Sequence, residues 1–213
     1  MEKNSKILVL GSNGLVGSAI CRSLAKKGYN GWVAVNKKMC NFLITSEVND
    51  LFRNYQPEYV FLAAAKVGCI NANNTQGADF ITNNLQIQTN VITAAHIWQT
   101  QKLLFLGSSC IYPRDCSQPI KEEYLMTSSL EPTNSAYAIA KIAGIEMCNA
   151  YRKQYGCNFI SAMPTNLYGI NDNFNLQDSH VLPAILRKIH EAKENNYKYV
   201  EFWGTGTPRR EFL

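Results

Sequence analysis

The chain alternates short apolar runs with longer segments in which apolar residues recur every three or four positions. Residues 6–10 (KILVL) form a continuous apolar run before a glycine, a pattern typical of a strand buried on both faces. In residues 15–27, Val16, Ile20 and Leu24 fall on one face of a helix. The same alternation predicts further strands at 32–35, 59–63, 103–106 and 158–162, and helices at 47–54, 79–98 and 135–155.

Alternating elements of these lengths predict an α/β fold with a doubly wound parallel sheet, the Rossmann arrangement, over residues 1–165. The rhythm changes after Pro164, and residues 166–213 predict the beginning of a smaller C-terminal substrate-binding region. Its predicted parts are an Asn- and Asp-rich loop at 171–178, a helix at 182–194 and a strand at 199–203. Because the sequence stops on an apolar pair without a polar tail, we expect a C-terminally truncated chain.

A glycine-rich loop lies directly between the first strand and the first helix. There, glycines permit a tight turn and a close approach of the backbone to a pyrophosphate, and N–H groups at the helix start face the phosphates. The alternative is a turn that uses glycine without binding anything. The predicted cofactor-binding residues of this loop are Gly11, Ser12, Asn13, Gly14, Leu15, Val16 and Gly17.

The end of the second strand indicates which dinucleotide is bound, because an acidic residue there binds the ribose 2′-hydroxyl of NAD. This chain has Asn36, Lys37 and Lys38 at that point. Two cations without a carboxylate favour a 2′-phosphate, so we expect NADP(H). The alternative is a pair of solvated surface lysines.

Tyr137 and Lys141 are four residues apart in a predicted helix and therefore share one face. An ammonium close to a phenol lowers its pKa, so Tyr137 is a candidate proton donor to a carbonyl oxygen as hydride reaches the carbon. Lys141 is a candidate to hold the nicotinamide ribose. The spacing also occurs by chance in exposed helices, so a third group is needed to support this interpretation.

Ser108 supplies that group, since it follows the strand at 103–106, at the edge of the sheet where such folds bind ligands. If the backbone stays extended, Cys110 points to the same side two residues later. A buried, inert cysteine is the alternative for Cys110.

Composition narrows the class of protein. No segment approaches the roughly 20 apolar residues of a membrane span, and the N-terminus does not resemble a signal peptide. The seven cysteines include no C-x-x-C pair, so we expect free thiols, no metal site and a cytoplasmic location. The net charge of +5 is scattered, which favours an anionic small molecule over nucleic acid as the partner.

Seven segments together resemble the GDP-L-fucose synthases, which are extended short-chain dehydrogenases. The resemblance implies NADPH-dependent epimerisation at C3 and C5, and reduction at C4, of GDP-4-keto-6-deoxy-D-mannose to GDP-L-fucose. It runs essentially from end to end. The segments are GSNGLVGSAI (11–20), AAAKVG (63–68), LFLGSSCIYP (104–113), EPTNSAYAIAKIAG (131–144), MPTNLYG (163–169), SHVLPA (179–184) and WGTGTPRREFL (203–213).

The resemblance assigns roles to five catalytic residues. Ser108, Tyr137 and Lys141 take the reductase roles, Cys110 is the base that removes protons next to the ketone, and His180 is the acid that returns them on the opposite face. The C4 ketone acidifies both neighbouring C–H bonds, so one acid/base pair can serve two epimerisations. Outside the resemblance, His180 would be interpreted as a capping or core residue.

The resemblance also implies binding residues. Asn13 and Lys37 stand where relatives often have arginines around the 2′-phosphate. Lys188 stands where an arginine is usual, so bidentate binding of a diphosphate is lost. Residues expected at the cofactor are Asn41, Leu106, Gly107, Ser109, Pro164, Thr165, Asn166 and Leu167, and residues expected at the GDP moiety are Lys188, Trp203 and Arg210.

Two alternatives remain open. Another extended short-chain enzyme, a nucleotide-sugar 4-epimerase or 4,6-dehydratase, would share the fold. A dehydratase needs an acid where this chain has Ser109 and Cys110, and a 4-epimerase has little use for a pair of Cys110 and His180. The second alternative is a non-catalytic dinucleotide-binding module. Relatives form homodimers through a four-helix bundle, so the resemblance also implies a homodimer through the helices at 79–98 and 135–155.

Overall fold

The computed structural model describes residues 1–176, 178–202, 204–207 and 209–213. In this part of the chain, five parallel strands form one sheet in the order β2-β1-β3-β4-β5. The order reverses between β1 and β3, and ligands of such sheets bind beyond the carboxyl ends of the strands at that point. The strands are β1 (Ile7–Leu10), β2 (Trp32–Val35), β3 (Tyr59–Leu62), β4 (Lys102–Leu106) and β5 (Phe159–Ala162).

Each strand and helix predicted for residues 1–165 forms within two residues of its expected bounds, which confirms the α/β prediction. The pattern missed α3, a short polar helix without apolar periodicity. The described helices are α1 (Leu15–Lys26), α2 (Thr45–Tyr55), α3 (Ile70–Thr75), α4 (Gly77–Ile97), α5 (Ser135–Tyr155) and α6 (Val181–Glu194). No helix in the described ranges has the length and apolar character that a membrane crossing requires.

Strand β1 is buried on both faces, as its continuous apolar run predicts. Leu8 and Leu10 join the larger core beneath α2, α4 and α5, whereas Ile7 and Val9 pack on the other face with Leu24 of α1. Alternate side chains of a strand point to opposite faces, so one short segment contributes to both cores. The carboxyl end of β1 is therefore fixed firmly where the glycine-rich loop begins.

Helix α5 lies unusually close to the sheet and to α4. A Cβ atom at Gly144 would lie 2.7 Å from Cε1 of Phe105 on β4 and 2.8 Å from Oε1 of Gln88 on α4, so only glycine fits there. The buried Gln88 side chain donates a hydrogen bond of 2.8 Å to the carbonyl of Ala140. These contacts fix the first half of α5 against the end of β4.

The C-terminal region differs from its prediction. Helix α6 forms, but the strand predicted at 199–203 is wrong for residues 199–202, and Trp203 lies outside the described residues. A strand needs a neighbouring strand to satisfy its backbone, and in the described ranges none pairs with 199–202. Asn166 and Phe212 instead form an isolated parallel bridge. The domain boundary predicted at residue 165 is not tested by the contacts of the described residues and stays a prediction.

Candidate active site

The glycine-rich loop forms as the sequence predicts. Gly11 has a φ of +87°, and a Cβ there would lie 2.6 Å from the amide nitrogen of Ala64. A Cβ on Gly17 would overlap the carbonyl oxygen of Gly11. The amides of Gly11 and Ser12 both donate to the carbonyl of Val35, at 2.9 and 3.2 Å, which ties the loop to β2. Glycine is therefore required at both ends of the turn.

Helix α1 begins directly beyond this turn and presents an N-terminus suited to an anion. Gly14 is its N-cap, no side chain caps it, and its first turn contains no acidic residue. Asn13 is exposed, while Leu15 and Val16 are partly buried. Amide groups and the helix dipole at such an end favour a phosphate, so the loop fits a dinucleotide pyrophosphate.

The turn after β2 lies beside the glycine-rich loop, because Val35 accepts the loop's hydrogen bonds. Lys37 is exposed in this turn. The side chain of Asn41 accepts a hydrogen bond from Leu43, and the Asn41 amide donates to the Glu47 carboxylate at 2.7 Å. The sequence indicated no carboxylate at the end of β2. The structure brings one, Glu47 of α2, to the Asn41 amide in the segment that follows β2, which a pattern confined to β2 could not reveal.

Ser108 begins the catalytic cluster at the end of β4. Its backbone is extended, and its Oγ accepts a hydrogen bond of 3.4 Å from the amide of Cys110. Cys110 lies in a single helical turn, Ser109–Ile111, so the prediction of a continued extended backbone is wrong. The turn forms because Ser108 caps it. The Cys110 thiol still interacts with the Ser108 hydroxyl and with the charge of Lys141.

Lys141 is the most deeply buried member of the cluster, with 4% of its surface exposed. Its Nζ donates a hydrogen bond of 2.8 Å to the carbonyl of Leu106 and lies 5.6 Å from the centre of the Tyr137 ring. Burial lowers the pKa of Lys141 to about 8, and the negative charge of a Cys110 thiolate partly opposes this. Lys141 therefore changes its charge near physiological pH.

Tyr137 does not have the lowered pKa that the sequence predicts. Burial raises the pKa of its phenol, the charge of Cys110 raises it further, and the interaction with Ser108 lowers it. The expectation that Lys141 dominates is wrong, because desolvation outweighs charge and the ammonium is bonded to the carbonyl of Leu106. The raised pKa keeps the phenol protonated at neutral pH, as a proton donor requires.

Burial also raises the pKa of the Cys110 thiol, against the lowering effects of Ser108 and Lys141. Protonating Lys141 therefore favours the Cys110 thiolate, whereas a Cys110 thiolate disfavours ionisation of Tyr137. The three groups titrate together, because each charge changes the pKa of its neighbours. The cluster can hold a proton on the phenol while the thiol acts as a base.

His180 lies outside this cluster. It is exposed and is the N-cap of α6, where its carbonyl accepts a hydrogen bond from Ala184. No hydrogen bond joins its imidazole to Cys110 in the described residues. Two residues earlier, the carbonyl of Asp178 accepts a hydrogen bond of 3.1 Å from the amide of Cys69, which follows β3. The His180 segment is thus attached to the edge of the sheet that carries the other four residues.

Some of the other residues predicted to bind the cofactor make specific hydrogen bonds at the ends of β4 and β5, and the rest are located only by their segment. The amide of Gly107 donates to Ala162 at 2.8 Å, which joins the ends of β4 and β5. The side chains of Thr165 and Asn166 both donate to the carbonyl of Glu211. Leu106, Ser109, Pro164 and Leu167 lie on the segments that leave β4 and β5 at the same edge.

The residues expected at the GDP moiety do not contact the cluster in the described residues. Nζ of Lys188 donates to the carbonyl of Glu201 at 3.0 Å and lies 5.9 Å from the Phe202 ring. Arg210 is exposed and donates to the carbonyl of Arg209. Trp203 lies outside the described residues. An open cavity of about 370 Å³ beside the start of α6 has a largely apolar lining that includes Tyr168, Ile170, Leu182 and Pro183.

Two buried asparagines near the cluster were not predicted as site residues from the sequence. Asn84 on α4 is bonded to the backbone of Lys66, and Asn73 on α3 is bonded to Gly68 and Cys69. For Asn84 a signal existed, because it follows the buried Phe80 at helical spacing, where an apolar residue is expected. For Asn73 none existed, since α3 has no apolar periodicity.

The fold and the glycine-rich loop define a dinucleotide-binding α/β protein, in which a Ser-Tyr-Lys cluster lies at the end of β4. The family model "NAD dependent epimerase/dehydratase family" matches residues 7–213, and the chain belongs to that family. Within it, the chain is 57% identical over 213 residues to "Putative GDP-L-fucose synthase 2" of Arabidopsis thaliana, covering 100% of the chain and 65% of that protein. It is 51% identical over 208 residues to "GDP-L-fucose synthase" of Escherichia coli K12, covering 98% and 65%. The chain therefore spans slightly less than two thirds of these relatives.

Solved structures agree with these relatives. A GDP-L-fucose synthetase of Naegleria fowleri bound to NADP superposes with a TM-score of 0.92 at 32% identity, covering 100% of this chain and 70% of that one. The NADP-bound GDP-mannoheptose C4 reductase of Campylobacter jejuni has the same TM-score at 42% identity, covering 100% and 69%. The fold alone is shared with UDP-glucose 4-epimerase of Thermotoga maritima, at a TM-score of 0.83 and 17% identity, covering 98% and 69%.

The lowered pKa of Lys141 predicts a pH-dependent gain in stability for the variant Lys141→Met. Below about pH 8 the folded protein holds a charged, buried lysine. Between about 8 and the ordinary value of 10.5 the unfolded chain binds the proton and the folded protein does not, so the stability of the parent protein rises with pH. Methionine removes this cost but loses the hydrogen bond to Leu106, for a net gain of about 1–2 kcal/mol at pH 7.

Urea unfolding of both proteins at pH 7 and pH 10 measures this gain, which should shrink at the higher pH. Lys153→Met, at an exposed position on the same helix, is the control and should change little. A gain of the same size at both pH values would contradict the titration and indicate a packing effect.

Proposed function

We propose that this chain carries the cofactor site and catalytic groups of an NADPH-dependent enzyme that converts GDP-4-keto-6-deoxy-D-mannose to GDP-L-fucose. The observation that carries the proposal is the placement of a thiol, Cys110, inside the cluster of Ser108, Tyr137 and Lys141. A reductase needs the latter three residues, and an epimerase needs a base beside the carbonyl. The identity of 51–57% to GDP-L-fucose synthases from two organisms supports the same reaction.

In the reduction, the C4 oxygen accepts hydrogen bonds from Ser108 and Tyr137. Bound NADPH supplies the hydride to C4. Tyr137 transfers its proton to the oxygen, and its raised pKa in the free site means that the phenol starts protonated. The ammonium of Lys141, near the Tyr137 ring, stabilises the tyrosinate that remains.

In the epimerisations, the Cys110 thiolate removes the proton from C3 or C5, since both carbons lie next to the ketone. Ser108 and Tyr137 stabilise the enolate oxygen that forms. His180 returns a proton on the opposite face, which inverts the carbon. Because burial raises the pKa of Cys110, the charge of Lys141 is needed to produce the thiolate.

NADP(H) is the cofactor that the chain's own groups favour. The uncapped start of α1 suits the pyrophosphate, and Lys37 and Lys38 follow β2 where a 2′-phosphate would lie. Two similar structures contain NADP, which supports the same choice. The carboxylate of Glu47 weakens the preference, although it accepts a hydrogen bond from the Asn41 amide and does not follow β2 directly.

For the GDP moiety we propose Lys188, Trp203 and Arg210. Among the described residues, Lys188 and Arg210 donate to the backbone carbonyls of Glu201 and Arg209, which a diphosphate can replace as the stronger acceptor. We also propose a homodimer through α4 and α5, on which Ile97 and Ile139 are about half exposed. The seven free cysteines support a cytoplasmic location, which cell fractionation would test.

A second candidate is a GDP-sugar 4-reductase that does not epimerise both carbons. A TM-score of 0.92 and 42% identity to a GDP-mannoheptose C4 reductase favour it. Its reduction would use Ser108, Tyr137 and Lys141 in the same way. The two reactions differ in whether solvent hydrogen enters C3 and C5.

The change Cys110→Ser tests the proposed function. The full-length protein should oxidise NADPH with GDP-4-keto-6-deoxy-D-mannose and incorporate tritium from water at C3 and C5. The serine hydroxyl is too weak a base to remove these protons, so the variant should lose roughly 100-fold or more of both signals. NADPH absorbance and tritium counting of the product measure them.

Two other results would contradict the proposed function, and each would favour a different alternative. NADPH oxidation without tritium incorporation would favour the 4-reductase. NADPH binding without turnover would contradict both enzymes and favour a non-catalytic dinucleotide-binding module.

Lys37→Glu tests the cofactor preference. Exchanging the cation for an anion beside the 2′-phosphate should lower the ratio of kcat/KM for NADPH to that for NADH by about 3- to 10-fold, a modest factor because the side chain is exposed. The matched control is Lys26→Glu, an equal charge change at the far end of α1. An equal shift in both variants would show a general charge effect and contradict a contact with the phosphate.

Sedimentation equilibrium tests the dimer. At micromolar concentration the full-length protein should sediment with twice its monomer mass. Ile139→Lys should shift it towards monomer, because the charge would enter an apolar contact between helices. Monomeric parent protein would contradict the proposed bundle.

A further inference from the structure

The loop between β3 and α3, residues 63–69, connects the surroundings of Tyr137 with the segment that carries His180. Its first part is held by Asn84, a side chain only 2% exposed. The Oδ1 atom of Asn84 accepts a hydrogen bond from the amide of Lys66, and its Nδ2 donates to the carbonyl of Lys66, both at 2.9 Å. One side chain thus satisfies both backbone groups of a residue that has no strand partner there.

The last part of the loop is held by Asn73, which is 8% exposed. Its Nδ2 donates to the carbonyls of Gly68 and Cys69, at 2.9 and 3.0 Å. A single amide group therefore sets the direction of two consecutive peptide units. Alanine or aspartate at this position would leave the Gly68 carbonyl without this donor, whereas the Cys69 carbonyl would keep the bond of 3.0 Å from the backbone amide of residue 73.

The loop has a different neighbour at each end. A Cβ atom at Gly68 would lie 3.0 Å from Cζ of Phe80, whose ring packs edge-on against Tyr137 with centres 6.3 Å apart. At the other end, the amide of Cys69 donates to the carbonyl of Asp178 at 3.1 Å. Among the described residues, the loop therefore contacts Tyr137 only through the Phe80 ring, whereas its last residue bonds directly to Asp178, two positions before His180.

The segment before His180 is bonded within itself. The amide of Ser179 donates to the carbonyl of Asn175, and the carboxylate of Asp178 accepts a hydrogen bond from Asn173. Ser179 is buried, so its backbone has little freedom. A shift of the Cys69 amide would move this segment as a unit, and the exposed imidazole with it.

We propose that Asn73 is a positioning residue for His180. It orients the Gly68–Cys69 backbone, and the Cys69 amide fixes the Asp178 carbonyl and hence the start of α6. This inference rests on the proposed function, in which His180 returns the proton that inverts each carbon. Cys110 lies in the turn after β4, and Tyr137 lies on α5, whose contacts with Phe105 and Gln88 do not involve Asn73. Their steps should therefore change little when Asn73 is replaced.

Proton exchange, hydride transfer and inversion can be measured separately, because only inversion needs His180. If His180 is displaced, Cys110 still removes a proton, exchanges it with water and returns it to the same face, so solvent hydrogen enters without inversion. Hydride transfer between C4 and the dinucleotide also continues on a sugar that already has the final configuration. Inversion alone requires a proton from the opposite face.

The test compares Asn73→Ala and Asn73→Asp with the parent in the full-length protein. Three rates are measured by NMR and absorbance: deuterium entry into GDP-4-keto-6-deoxy-D-mannose without NADPH, inversion of its C3 and C5, and hydride transfer from GDP-L-fucose to NADP⁺. Inversion should fall roughly 10- to 100-fold, the cost of a misplaced group, while the other two rates stay within about twofold. Asn73→Asp keeps the side-chain size but places a carboxylate oxygen against the two carbonyls, so it should lower inversion at least as much as alanine.

The matched control is Asn49→Ala, which removes a similar bond, from Nδ2 to the carbonyl four residues earlier, on α2 away from the cluster. It should leave all three rates unchanged. Parallel loss of all three in the Asn73 variants, with a lower melting temperature, would overturn the proposal in favour of a structural role, and unchanged inversion would overturn it too. A parent protein that neither exchanges nor transfers hydride on these sugars would contradict the proposed function instead.

Discussion

The close approach of α5 to the sheet is the constraint on which the site depends. At Gly144 there is no room for a Cβ atom between α5, Phe105 and Gln88. This distance lets Lys141, less than one turn earlier, reach the carbonyl of Leu106 at the end of β4. Any larger residue at Gly144 would push the helix outward and break the contact between lysine and strand.

The close approach of α5 to the sheet also controls the protonation of Lys141, Tyr137 and Cys110. Removing water disfavours every charged form, so the pKa of Lys141 falls while those of Tyr137 and Cys110 rise. The Tyr137 phenol and the Cys110 thiol are consequently protonated and neutral at pH 7, while Lys141, with a pKa of about 8, is mostly charged. A single buried lysine near its titration point changes the pKa of the neighbouring thiol as it gains or loses its proton.

Much of the fold and part of the candidate site were predictable from the sequence, because they depend on local patterns. Apolar periodicity located the five strands and the long helices, and the position of Gly11–Gly17 between strand and helix located the cofactor loop. Spacing on one helix brought Tyr137 and Lys141 together. These features need only neighbours in sequence, or the general rule that parallel strands end at one edge.

The features that were predicted wrongly or missed depend on contacts between distant segments. The turn at Cys110 follows from a side-chain cap, and the direction of the Tyr137 pKa follows from burial by several elements. The Glu47 carboxylate reaches the segment after β2 from helix α2. The strand expected at 199–202 lacks a partner in the described residues, and the periodicity of a single segment cannot reveal whether a partner exists.

The buried asparagines show why such contacts are needed. The candidate site groups come from the end of β4, from α5 and from the start of α6, and the connecting loops have no ladder of hydrogen bonds to fix their relative positions. Gln88, Asn84 and Asn73 each bond to the backbone of another segment or loop, where an apolar side chain would leave peptide groups unsatisfied. A buried amide is directional, whereas apolar packing is not, so it can set the orientation of a peptide. The geometry of a site made from several loops thus depends on buried polar side chains that bond to the backbone.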